Sequence, residues 1–75
     1  MNSKLIYETE RPINGIEYIV TVKADAIFYT VEIRQPSSYY NYFLRYYYKT
    51  QFAHLKGAEL HNALINDAIE KARLM

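Results

Sequence analysis

Two histidines, His54 and His61, are the side chains best suited to hold a metal ion or to move a proton near neutral pH. A helix offers two imidazoles to one ion at i, i+4 spacing, and these stand seven residues apart. No third ligand is identifiable, and the chain has no cysteine to supply a thiolate. The pattern therefore implies neither a metal nor a cofactor. His61 falls within the apolar arc of a predicted helix, where it reads as a core imidazole hydrogen-bonded to a strand or a tyrosine. His54, just ahead of Gly57, reads as a solvated turn residue.

The remaining catalytic arrangements are equally sparse. Ser37 and Ser38 follow Pro36 in a predicted turn, where serine bonds locally or caps a helix. Only Gly15 and Gly57 are available to let backbone approach a phosphate, and no phosphate-cradling loop or nucleophile elbow is present. Glu8, Glu10 and Glu17 gather around a predicted hairpin and could serve as an acid pair. Glu8 and Glu10 share the face of a strand opposite Tyr7, so a solvated edge that discourages strand pairing explains them more simply. No catalytic residue is assigned, and the expectation is a protein that is not an enzyme.

The chemistry that stands out is recognition. Residues 33 to 58 contain no Asp or Glu, yet carry Arg34, Arg45, Lys49 and Lys56, and the run Tyr39 to Tyr48 holds six of the nine tyrosines. A tyrosine joins a large apolar ring to a hydrogen-bonding tip, which suits a surface that is wet alone and dry in a complex. Tyr39, Tyr40, Tyr42, Phe43, Arg45, Tyr46 and Tyr47 are the candidate partner-binding residues. Arg34, Arg45, Lys49 and Lys56 are the candidates for the rival reading, a nucleic-acid contact.

Charge weighs against that rival. Net charge is only +1, distributed as −2 over residues 1 to 32, +4 over 33 to 58 and −1 over 59 to 75. Proteins that grip long stretches of phosphate backbone carry a larger cationic excess. At 75 residues the chain reads as one domain, and folding at this size removes only about 60% of the unfolded surface from water. A second copy is a ready source of the missing burial. With 51% apolar and 23% charged residues, the composition is that of a folded domain. No segment approaches the roughly 20 apolar residues of a membrane span, and the cysteine-free chain fits a reducing cytoplasm.

These residues must be positioned by a strand-like front and a helical back. Leu5 to Glu10 reads as a first strand, with Pro12 placing it at a sheet edge and Asn14-Gly15 supplying a hairpin turn. Ile16 to Lys23 alternates with Ile16, Tyr18, Val20 and Val22 inward. After an Ala24-Asp25-Ala26 turn, Ile27 to Arg34 repeats the device with Ile27, Tyr29, Val31 and Ile33 inward. Tyr7, Tyr18 and Tyr29 thus read as core fillers. Gly57 or Ala58 opens an amphipathic helix whose apolar arc is Leu60, Leu64, Ile65, Ala68, Ile69 and Ala72. Glu59 in its first turn and Lys71 with Arg73 in its last complement the helix dipole.

The tyrosine run fits two geometries. With period two, Asn41, Phe43, Arg45 and Tyr47 share one strand face, and Tyr42, Leu44, Tyr46 and Tyr48 the other. With period 3.6, Asn41, Arg45 and Lys49 form the polar stripe of a helix capped by Ser37 or Ser38. Aromatic enrichment favours the strand. The fold expected is α+β: an antiparallel meander of three or four strands with the C-terminal helix on one face. One helix leaves the other face uncovered, and Ile19, Thr21, Phe28, Thr30, Glu32 and Arg34 are expected there, joined by Phe43, Arg45 and Tyr47 if the fourth strand forms. The function expected is non-catalytic binding, by a homodimer or to a protein partner, through this aromatic, locally basic surface.

Overall fold

The computed structural model describes residues 3–37 and 41–74. The chain forms β1 (Lys4–Ile13), β2 (Ile16–Ala24), β3 (Phe28–Arg34), β4 (Asn41–Tyr48), a short 3-10 turn (Lys49–Phe52) and α1 (Gly57–Arg73). The strands make one antiparallel sheet in the order β1-β2-β3-β4, the α+β meander expected, with α1 packed on one face.

Local chemistry explains most of the boundaries. Asn14 and Gly15 both take positive φ, 53° and 83°, the mirror-image turn whose twist matches a hairpin. Pro12 lies within β1, an outermost strand, where a missing N–H breaks no interior ladder. Between β2 and β3, one Asp25 carboxylate oxygen accepts the N–H groups of Ile27 at 2.8 Å and Phe28 at 2.7 Å. Those two bonds, Phe28 first, hold the Asp25 carboxyl below the usual carboxylate range. The turn keeps Ile27 outside β3 and exposed, contrary to the inward position its alternation suggests. Ile16, also expected inward, is exposed at the other hairpin.

The core is a helix-on-sheet sandwich. Leu60, Leu64, Ile65, Ala68, Ile69 and Ala72 are all buried, the arc expected from the sequence. They pack against Tyr18, Val20, Val22, Val31 and Ile33, with Ile13 closing one end. Each buried Leu or Ile side chain contributes roughly 1.5–3 kcal/mol from loss of apolar surface to water, so this single layer dominates the stability of a short chain. His61 is half-buried and meets Tyr7 as a ring stack, with centroids 4.5 Å apart and planes 16° from parallel. It packs against β1 by that stack. His54 is exposed in the turn before α1.

Candidate interaction surface

Residues 41–48 form a strand, and its register decides which side chains face outward. Arg34 lies opposite Asn41, but the next pair is Ile33 with Phe43, so Tyr42 has no partner in β3. This is a β-bulge, and it inverts every residue after it. Had the pairing of Arg34 with Asn41 continued regularly, Phe43, Arg45 and Tyr47 would lie opposite Glu32, Thr30 and Phe28. That is the uncovered face expected from the sequence. Instead they lie opposite Ile33, Val31 and Tyr29, on the helix side, because directly opposed residues of an antiparallel pair share a face. Leu44, Tyr46 and Tyr48 take the uncovered face, opposite Glu32, Thr30 and Phe28.

The correction is largest for Tyr47. Expected on the contact surface, it is 5% exposed and belongs to the core. Its hydroxyl donates to Asp67 Oδ2 of α1 at 2.6 Å, its ring meets Phe52 edge-on at 5.5 Å, and the Arg45 guanidinium lies 5.5 Å from its centroid. Burial, then the bond to Asp67, pushes the Tyr47 hydroxyl well above the ordinary tyrosine range. Burial alone would raise the Asp67 carboxyl, but the Tyr47 hydroxyl and the Lys71 ammonium, 3.2 Å away, outweigh it and hold the carboxyl low. Arg45 adds a looser pairing, with Nε 3.8 Å from Asp67 Oδ2. Phe43 is half-buried against the core, and Tyr42, though exposed, meets Tyr18 as a tilted ring pair with centroids 4.8 Å apart.

Among the described residues expected at the contact, Tyr46 is the most open. It is 61% exposed, beside Tyr48 at 57% and Leu44 at 43%. Phe28 ties the strip together, with ring centroids 4.8 Å from Tyr48 and 6.0 Å from Tyr46. Leu44 and Tyr48 lie outside the contact set expected from the sequence, although period-two alternation places both on the same face as Tyr46. Tyr39, Tyr40 and Ser38 lie outside the described residues.

At the centre of the uncovered face, polar side chains pair with one another. Thr21 donates to Glu8 Oε2 at 2.9 Å and Lys23 meets Glu32 at 2.9 Å, so these polar groups separate the aromatic strip on the β4 side from Leu5, exposed on β1 opposite Lys23, and the half-buried Ile19. Glu8 and Glu10 both face this side, opposite Thr21 and Ile19.

The candidate nucleic-acid residues are not brought together. Arg34 is on the uncovered face, whereas Arg45 is on the helix face beside Asp67. Lys49 donates to the Asp25 carbonyl at 3.2 Å and lies 5.5 Å from the centroid of the Tyr29 ring. Lys56 immediately precedes α1, beyond the 3-10 segment that Lys49 opens. Among the described residues no group of three or more His, Cys, Asp or Glu side chains could hold a metal ion, and no helix is long and apolar enough to cross a membrane. Compared with known proteins, the chain matches no family model, no curated protein and no solved structure.

Proposed function

We propose that this chain is a non-catalytic binding protein that self-associates through the tyrosine-rich surface of β4. The carrying observation is the continuous strip of Phe28, Leu44, Tyr46 and Tyr48 beside a polar, internally paired sheet centre. Aromatic side chains bring large contact area at low conformational cost, and a domain this small gains most from adding a second copy to its limited core. The nucleic-acid alternative is less well supported, because Arg34 and Arg45 lie on opposite faces of the sheet, and Arg45 and Lys49 are partly occupied by Asp67 and the Asp25 carbonyl. The cysteine-free composition agrees with a cytoplasmic setting.

The test is the mass in solution by light scattering at low and high salt, with and without a mixed oligonucleotide pool. The expected result is a concentration-dependent dimer that ignores both salt and oligonucleotide and is weakened by Tyr46→Ala with Tyr48→Ala. A monomer that gains mass with oligonucleotide only at low salt would overturn this reading in favour of nucleic acid.

A further inference from the structure

On the reading that β4 self-associates, we propose that the contact is an antiparallel pairing of the outer edge of β4 with the same edge of a second copy. Two four-stranded sheets thereby join into one continuous sheet.

The two edges of the sheet are built differently. The β1 edge carries Pro12, an irregularity between Leu5 and Tyr7, and the acids Glu8 and Glu10, devices that discourage strand addition. Between Tyr42 and Tyr48, β4 has no proline and only one charge, Arg45. Among the described residues nothing pairs with its outer side.

Backbone direction narrows the pairing further. The Lys49 N–H reaches the Ile27 carbonyl at 2.9 Å, so by the alternation of an antiparallel ladder Tyr47, Arg45 and Phe43 turn their backbone groups toward β3. Leu44, Tyr46 and Tyr48 turn theirs outward. The Tyr48 N–H is already taken by Gln51 Oε1 at 3.2 Å, which closes that end of the edge, and the bulge at Tyr42 interrupts the other. What remains open is Leu44 and Tyr46, placed symmetrically about Arg45. A two-fold axis at Arg45 sets Leu44 of one copy against Tyr46 of the other, twice, and satisfies the outward N–H and C=O groups of all four residues.

Side chains agree with this register. On the uncovered face the exposed Leu44 and Tyr46 of each copy become cross-strand neighbours, an aliphatic–aromatic pairing that sheets favour. On the helix face the two Arg45 side chains meet at the axis, and each brings its Asp67 carboxylate with it, so both signs of charge converge there. Closure argues for a second copy over an unrelated strand. Self-pairing about the axis leaves only the two β1 edges exposed, both protected, so assembly stops at two. A contact of this length falls below about 1,200 Å² of buried area, which makes the dimer weak and concentration-dependent.

Single cysteines test the register, because the chain has none of its own. Opposed positions at the axis have Cβ atoms about 4.5–5.5 Å apart, close to disulfide geometry. Arg45→Cys should therefore cross-link in a glutathione redox buffer, and Glu10→Cys on β1 should not. Tyr46→Ala and Tyr46→Pro separate edge from face: both lose the ring, but only proline loses the outward N–H, and neither touches the β3 ladder. The expected result is that the proline variant, with a native circular dichroism spectrum, dimerises about tenfold more weakly than the alanine variant. A dimer that persists equally in both variants, with no Arg45→Cys cross-link above the Glu10→Cys control, overturns edge pairing and leaves self-association standing. A wild-type chain that stays monomeric at every concentration overturns both.

Discussion

Tyr47→Phe deletes one oxygen, and the structure says where its effect must appear. The lost bond is a charge-assisted contact of 2.6 Å to Asp67, in a side chain that is otherwise buried. Hydrogen bonds to charged groups contribute about 1.5–3 kcal/mol. The Asp67 side chain is 34% exposed and keeps Lys71 and solvent as partners, so solvent screening brings the expected loss to the lower bound of that range or just below it, about 1–1.5 kcal/mol. For a domain of this size that corresponds to a fall in Tm of about 4–8 °C per kcal/mol. The assay is urea and thermal denaturation at one fixed protein concentration, because association adds to apparent stability. Tyr46→Phe, altered at an exposed hydroxyl, is the comparison and should stay within about 0.5 kcal/mol of the parent.

The pH dependence of that loss carries the sharper test. The folded Asp67 carboxyl lies below its unfolded value of about 3.9, so its stabilisation is present above that pH and disappears as pH falls through the folded value. Because the Tyr47 hydroxyl helps to hold the carboxyl low, the gap between parent and Tyr47→Phe should narrow in acid. Equal stability of Tyr47→Phe and Tyr46→Phe, or a gap independent of pH, would refute the placement of Tyr47 against Asp67. Truncation to Ala should cost about 3–5 kcal/mol, a large share of the roughly 0.05–0.15 kcal/mol per residue that a native chain has in total.

Three further outcomes are expected. Gly15→Ala should destabilise by about 1–2 kcal/mol in urea denaturation, because its φ of +83° opposes an L side chain even though a Cβ there would meet nothing within 4 Å. Leu64→Ala, at a fully buried position between α1 and the sheet, should lose about 2–5 kcal/mol by the same assay. Since burial and Asp67 keep the Tyr47 hydroxyl protonated in the folded chain, its contribution is complete below the unfolded value of about pH 10. It is lost as pH rises through the higher folded value, so the urea midpoint should fall more steeply in alkali for the parent than for Tyr47→Phe.

Periodicity and turn chemistry by themselves determined the meander, the helix and most of the core. Alternation in β2 and β3 marks Val20, Val22, Val31 and Ile33, and the 3.6-residue period of α1 marks the six residues that bury, because one face of each element must leave water. Asn14-Gly15 marks its own hairpin, and the concentration of tyrosine after Ser37 marks the surface rich in aromatic rings. What tertiary structure decided is which of those rings are exposed. Alternation divides β4 into two sets without saying which set meets the helix; that depends on the pairing with β3, and the unopposed Tyr42 inverts it. One inserted residue therefore moves Tyr47 into the core beside Asp67, twenty positions away in sequence, and leaves Leu44, Tyr46 and Tyr48 outside. Local pattern reports only that a face exists. Register, set by long-range hydrogen bonding across the sheet, determines where that face points.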